Sequence, residues 1–160
     1  MNNLQLTKAP VAKAEMLIRK PVAEVFEAIV NPEITTRFWF TRSSGRLDSG
    51  QPITWTWEMY DHSVEVAVKE IEVNQRILME WGNGAWTTRV EWIFTPYEAD
   101  KTYLSITNSG FQGTGDEVVK AALDSQGGFT WVLAGLKALL EHQIELNAIA
   151  DAFPKGLRKH

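Results

Sequence analysis

Residues 54–66 read TWTWEMYDHSVEV and carry two alternating runs separated by a polar break. In the first run Trp55 and Trp57 alternate with threonines, which is the period of a half-buried β-strand. Alternation resumes at Val64 and Val66, so the two runs predict an antiparallel hairpin. The two indoles then share one strand face, where they either fill a core or line a cavity.

The hairpin belongs to a longer series of segments with the same alternation. Gly82-Asn83-Gly84 is a strong turn signal, and Glu98-Ala99-Asp100-Lys101 forms a second short connection. Consecutive strands joined by short turns favour an antiparallel meander. The predicted strands span residues 14–19, 53–59, 63–73, 76–81, 87–95 and 102–108.

Helical periodicity flanks this β region on both sides. Two short helices are predicted at residues 22–30 and 33–38. Thr114-x-x-Glu117 has the form of a capping box, and a long amphipathic helix follows it, with a predicted kink or interruption at Gly127-Gly128. This element order predicts an α+β fold with helices on one face of the sheet. The apolar stripe of the long helix consists of Phe129, Leu133, Leu136, Leu140 and Ile144.

The composition is that of one globular domain, with 160 residues of which 44% are apolar and 22% charged. Residues 12–150 are predicted to form the domain, with residues 1–11 and 151–160 as loose termini. A net charge of −4 without a concentrated basic face argues against nucleic acid as a partner. No run suits a secretion signal or a membrane span, which predicts a cytoplasmic protein without stable membrane insertion.

Two residue counts bear on the chemistry. The chain contains no cysteine, which excludes disulfides, thiolate catalysis and thiolate metal sites. It contains seven tryptophans, and a buried indole needs a hydrogen-bond partner for its N–H. A chain this rich in tryptophan either packs unusually large side chains or surrounds a ligand.

Five local patterns, taken in order, resemble the START-like or SRPBCC superfamily, whose members have the helix-grip fold. Within it they are most similar to the branch of the C-terminal domain of the activator of the ninety-kilodalton heat-shock chaperone ATPase. The likeness covers about residues 14–145. The patterns are KPVAEVFEAIVNPE, FWF, ILMEW, TYLSITNSGF and GGFTWVLAGLKALLE.

The resemblance implies a curved antiparallel sheet wrapped around a long C-terminal helix, with two short helices after the first strand. Superfamily members bind lipids, sterols, polyketides or other apolar molecules between sheet and helix, and a few are cyclases or related enzymes. One long helix cannot cover a wide, twisted sheet completely, so a cavity is expected where the two separate. The predicted lining residues are Trp39, Trp55, Trp57, Trp81, Val90, Trp92, Asn108, Phe111, Phe129, Leu133 and Leu136.

Candidate catalytic groups are weak by comparison. His62, His142 and His160 are predicted to be solvated, and no spacing typical of a metal site or a nucleophile elbow occurs. The segment GFQGTG, residues 110–115, is predicted to be a flexible loop at the cavity mouth. No catalytic residue, metal or cofactor is therefore assigned. A further hypothesis is that basic residues reach the cavity mouth and hold an anionic head group there. The candidates are Arg37, Arg42 and Arg89.

These patterns favour non-catalytic binding of a small apolar or amphipathic molecule, because ligand pockets are typically apolar and aromatic with few polar groups. The alternative for the same aromatic residues is a closed core, since protein interiors are packed to crystal-like density. Two other functions stay open: a chaperone-associated interaction module, which the resemblance implies, and a cyclase or hydrolase of the same fold.

Overall fold

The computed structural model of the chain describes residues 4–157. Residues 1–3 and 158–160, which include His160, belong to the predicted loose termini and lie outside the described residues. Within the described range the backbone forms a seven-stranded sheet in the order β1-β7-β6-β5-β4-β3-β2. The strands are β1 Ala12–Ile18, β2 Arg42–Ser43, β3 Ile53–Trp57, β4 His62–Glu72, β5 Arg76–Gly82, β6 Thr88–Tyr97 and β7 Lys101–Ser109.

The predicted meander is confirmed, because β3 to β7 pair as antiparallel neighbours in chain order. Strand β1 pairs with β7 at one edge, and β2 pairs with β3 at the other. Strand β2 was not predicted, since two residues are too few to show an alternation. A register shift in β4 between Val68 and Glu70 adds local twist. The sheet curls into a half-barrel.

Strand β3 is shorter than predicted. It ends at Trp57, and Glu58–Tyr60 form a 3₁₀ turn in which Asp61 closes the bend with a left-handed backbone. Met59, which the alternation placed on the apolar face, is therefore 41% exposed. The hairpin itself forms as expected, with Trp55 opposite Val64.

Two short helices follow β1, as predicted: α1 Val22–Val30 and α2 Pro32–Thr35. Pro32 occupies the first turn of α2, where its missing N–H is not needed, and the Asn31 side chain accepts a hydrogen bond from the Glu33 N–H at 3.0 Å. Helix α2 is shorter than the predicted 33–38, because the following residues tighten into turns that lead to Trp39.

The long helix α3, Gly115–His142, starts at the predicted capping box. The helix continues through Gly127 and Gly128, so the predicted kink or interruption at these glycines is wrong. The helix ends where Gln143 adopts a left-handed conformation, so Ile144 falls outside the apolar stripe and is 52% exposed. A further short helix, α4 Ala148–Ala152, then packs near α3.

The core lies between the concave face of the sheet, α1 and the second half of α3. Phe26 of α1 contacts Phe94 of β6 with ring centroids 5.1 Å apart. Gly135 allows α3 to approach the segment after α2, because a Cβ there would stand 3.2 Å from the Phe38 Cβ. Lys137 Nζ donates to the Leu17 carbonyl at 2.9 Å, which fixes this part of α3 to β1.

Candidate ligand-binding cavity

A cavity of about 840 Å³ lies between the concave face of the sheet and the first half of α3. This volume falls within the range of small-molecule binding sites. The segment after α2, the loop after β7 and helix α4 supply the remaining walls. Most of the large lining side chains are aromatic, as in ligand-binding clefts generally.

Six of the eleven predicted lining residues stand at the cavity wall. Trp57 and Trp81 come from the sheet, and Phe129 comes from α3. The other three are Trp39, Asn108 and Phe111. The sequence therefore identified the aromatic wall at the mouth end of the sheet, although ligand binding by these residues stays a prediction.

The other five do not reach the cavity and lie in the closed core: Trp55, Val90, Trp92, Leu133 and Leu136. Each is at most 1% exposed. Trp55 stacks on Phe40 with centroids 4.5 Å apart, and Trp92 meets Phe129 edge to face at 5.9 Å. Strand alternation correctly gave the face on which these residues lie, but it carries no information on where along that face the helix closes onto the sheet.

Trp39 separates the cavity from the core. Its ring lies 4.8 Å from that of Trp55 and 5.7 Å from that of Trp92 on the core side. On the cavity side it lies 6.0 Å from Trp57 and 5.8 Å from Phe129. The tryptophan-rich face thus does both things proposed from the sequence, because one part fills the core and the other forms a cavity wall.

One polar atom in this region lacks a partner. Among the side chains of the described residues, the Trp92 indole nitrogen is the buried atom with no hydrogen-bond partner. Its ring is fully buried against Trp39 and Phe129. An unpaired buried N–H is unfavourable, so aromatic packing must outweigh that penalty here.

Asn108 is the buried polar group of the cavity wall, at 2% exposure. Its amide nitrogen donates to Thr88 Oγ1 and to the Arg89 carbonyl, both at 2.8 Å. Its oxygen accepts from Ser125 Oγ at 2.7 Å. These bonds join β7, β6 and α3, so Asn108 holds the first half of the helix at a fixed distance from the sheet.

Helix α4 supplies a wall that the sequence analysis missed. Tyr60 donates its hydroxyl proton to the Ile149 carbonyl, and its ring lies 6.1 Å from that of Phe153. Burial is the main cause that raises the pKa of Tyr60 above its ordinary value. The four-residue spacing of Ile149 and Phe153 was the available signal of a helical turn in a segment expected to be loose near its end.

The rim of the cavity is apolar and exposed. Trp86, on the 3₁₀ turn Gly84–Trp86 after β5, is 71% exposed, and Trp131 on α3 is 49% exposed. Leu123 adds a third apolar side chain. Phe111 and Gln112 come from the segment GFQGTG, which therefore borders the cavity as predicted. An apolar molecule entering the cavity would pass these side chains.

The charges at the cavity differ from the expectation. None of the three arginines proposed for the mouth lines it: Arg37 pairs with Glu145 at 3.3 Å, while Arg42 and Arg89 lie elsewhere on the sheet. Across residues 4–157, no lysine or arginine is among the lining side chains, whereas the carboxylates Glu117 and Asp124 are. The hypothesis of an anionic head group held by arginine at the mouth is therefore wrong.

The histidines within residues 4–157 show no catalytic arrangement. His62 lines the exposed part of the cavity, 6.1 Å from the Trp57 ring. His142 stands on the outer side of α3, where its Nε2 is 4.0 Å from Glu141 Oε1. No three acidic or histidine side chains in this part of the chain are grouped to hold a metal ion.

No helix among residues 4–157 has an apolar segment long enough to cross a membrane.

Comparisons with known proteins agree with this architecture. The family model described as Activator of Hsp90 ATPase homolog 1-like protein matches residues 19–141. A crystal structure of a Staphylococcus saprophyticus protein is 31% identical, with 86% of this chain and 96% of that chain covered and a TM-score of 0.72. A search among curated proteins returned no match.

Two more distant structures share the fold alone. A Mesorhizobium loti protein is 18% identical over 84% of this chain and 99% of its own, with a TM-score of 0.71. The Aha1 dimer from Colwellia psychrerythraea is 15% identical over 83% and 97%, with a TM-score of 0.69. The chain thus belongs to the family of Activator of Hsp90 ATPase homolog 1-like proteins, within the START-like superfamily.

Proposed function

We propose that the protein binds a small apolar or amphipathic molecule in the cavity between the sheet and the first half of α3, without covalent chemistry. The observation that carries this proposal is a space of about 840 Å³ beside a tightly packed core. Protein interiors normally leave few voids larger than a water molecule. A cavity of this size with aromatic walls is what a drug-sized ligand requires.

Burial of apolar surface would supply the affinity. A ligand that removes ~300 Å² of apolar surface from water gains about 7 kcal/mol before ordering costs. Trp81, Trp86 and Trp131 offer solvent-accessible, stiff aromatic surface that loses little rotamer freedom on binding. The hydrogen bonds of Asn108 tie the first half of α3 to β6 and β7, so little movement of this wall is expected on binding.

A cavity-filling variant tests the proposal. Gly128 lines the cavity, and a Cβ built on it meets nothing within 4 Å. Gly128→Leu should therefore place a branched side chain in the ligand space without removing any existing contact. We expect the variant to lose binding of the neutral fluorescent probe N-phenyl-1-naphthylamine while its melting temperature stays the same or rises.

The matched control is Thr130→Leu, which adds a leucine at an exposed position two residues along the same helix. Probe affinity should stay at the wild-type value in this variant. Equal affinity in wild type and Gly128→Leu, with both proteins folded, would contradict binding in the cavity.

Family membership favours a second candidate, an interaction with a chaperone of the Hsp90 type. The convex face of the sheet counts mildly against it, because Glu65, Lys69 and Arg89 are exposed there and give that face a polar character. Adding the chain to a purified Hsp90-type chaperone and measuring ATP hydrolysis tests this candidate directly. A higher ATPase rate would favour it, and an unchanged rate with no complex formed would count against it.

A further inference from the structure

We infer that the ligand of this cavity is a cationic amphiphile, an apolar body carrying an alkylated ammonium group. This inference rests on the proposed function and specifies the chemistry of that same site. Three features support it: the aromatic walls, the sign of the charges that line the cavity, and the position of the neighbouring cation Lys120 outside that lining.

The aromatic walls favour a cation over an anion. The face of an indole carries negative potential, and a cation within about 6 Å of the ring centre is attracted by it, most strongly where water is excluded. Trp57 and Trp81 stand 6.3 Å apart at the wall, with Phe129 5.6 Å from Trp81. Since these rings pack against one another, a group placed at their cavity edge would lie near more than one of them.

The charged side chains at the cavity have the same preference. Glu117, Ala121, Asp124 and Gly128 follow one another at helical spacing on α3, so the two carboxylates lie on the stripe that faces the cavity. Glu117 Oε2 accepts from the Thr114 N–H at 2.9 Å within the capping box. No ion pair of Glu117 with a lysine or arginine forms among residues 4–157.

The nearby cations do not remove this negative potential. Lys120 pairs with Asp124 at 2.7 Å, but its side chain is 75% exposed and does not line the cavity. This pair offsets part of the negative charge of Asp124 but places no cation in the cavity, whereas Glu117 keeps its charge without such a partner among residues 4–157. The partial positive charge at the start of α3 is opposed by Asp116 and Glu117 in its first turn.

Isothermal titration with three dodecyl amphiphiles below their micelle concentrations tests the inference. Dodecyltrimethylammonium is the cation, and dodecyldimethylamine N-oxide differs by one oxygen in place of a methyl group and has no net charge at pH 8. Dodecyl sulfate is the anion. We expect the cation to bind about tenfold more tightly than the N-oxide, and the anion to bind more weakly than both.

Two charge-neutralising variants separate the cavity from the overall charge of the protein. Glu117→Gln keeps the capping box, since glutamine serves in that motif, and should reduce the preference for the cation about threefold. Glu72→Gln changes the net charge equally at an exposed residue of β4 that does not line the cavity. It should leave the preference unchanged.

The outcomes are distinct. Equal or tighter binding of the N-oxide or the sulfate would overturn the cationic ligand class but leave the proposed function standing. A preference that both variants reduce equally would overturn the assignment to the cavity carboxylates. Failure of all three amphiphiles to bind the folded protein would overturn the proposed function, and this inference with it.

Discussion

The two halves of α3 have different surroundings although they form one unbroken helix. In the second half, Leu133, Leu136 and Leu139 are buried against the sheet. In the first half, the buried side chains are Val118 and Ala122, while Leu123 is 66% exposed. The second half closes the core, and the first half forms one wall of the cavity.

The polar contacts differ in the same way. Lys137 and Glu141 bind backbone groups of Leu17 and Arg19, which fixes the second half to the end of β1. In the first half, Ser125 reaches Asn108 across the cavity wall. The difference shows how one helix can serve both stability and binding: the end that packs tightly holds the other end above an open space. Substitutions in the tightly packed half, each matched with a control at a less constrained position, can break or sharpen this comparison.

The largest effect is expected from a pair of leucines. Leu136→Ala should lower the free energy of unfolding by about 3 kcal/mol, because it removes buried methyl groups and leaves a hole. Leu123→Ala on the exposed half should change it by less than about 0.5 kcal/mol. Urea denaturation of both variants measures the difference. Similar losses from the two would contradict the division of the helix.

A smaller effect concerns Glu141, whose side chain is 9% exposed. Burial raises the pKa of its carboxyl group, but the Arg19 N–H and the Lys137 ammonium favour the charged form more strongly, so the net pKa lies below the ordinary value. Glu141→Gln should therefore destabilise the protein by about 1–2 kcal/mol at pH 7.

The pH dependence of that variant follows from the sign of the shift. A carboxyl group with a lowered folded-state pKa stabilises the protein above its unfolded pKa of about 4.3, and this contribution is lost as the pH falls through the folded value. The stability difference between wild type and Glu141→Gln should shrink below about pH 4. The control Glu145→Gln breaks an exposed pair with Arg37 and should change the free energy of unfolding by less than about 0.5 kcal/mol at pH 7.

The smallest effects, of opposite sign, are expected at two helical glycines. Gly127→Ala should stabilise the protein by about 0.5–1 kcal/mol, because alanine favours the helix and its Cβ meets open space. Gly135→Ala should destabilise it by about 1 kcal/mol, since its Cβ would stand 3.2 Å from the Phe38 Cβ and 3.3 Å from the Phe38 carbonyl oxygen. Thermal unfolding followed by circular dichroism compares them, and stabilisation by both would show that α3 is not tightly packed at Gly135.

Much of the fold could be predicted from the sequence, because period-2 alternation and the capping box are local signals. Three predictions are confirmed: the order of β3 to β7, the capping box at Thr114 just before α3, and the family resemblance. Element ends were less predictable. Ile144 continues the apolar spacing, but the left-handed Gln143 ends the helix before it.

The candidate site was predictable only in part, since it depends on long-range geometry. Alternation placed Trp55 and Trp57 on one face, yet two residues along a strand separate a core position from the cavity wall. The lining residues at α4 offered only the four-residue spacing of Ile149 and Phe153, and the rim residue Trp86 lies on a three-residue turn that has no periodicity. The sign of the charge at the cavity mouth could not be predicted from the arginines in the sequence. Arg37, for example, pairs with Glu145, which is remote in sequence.

The seven tryptophans provide the most direct test, since each indole N–H gives its own nuclear magnetic resonance signal. On titration with N-phenyl-1-naphthylamine, the account predicts shifts for the indoles at the cavity, Trp39, Trp57, Trp81, Trp86 and Trp131. The indole N–H signals of the two core residues, Trp55 and Trp92, should keep their chemical shifts. Equal shifts of the core indoles, or no shift of Trp57 and Trp81 at saturating probe, would contradict ligand binding in this cavity.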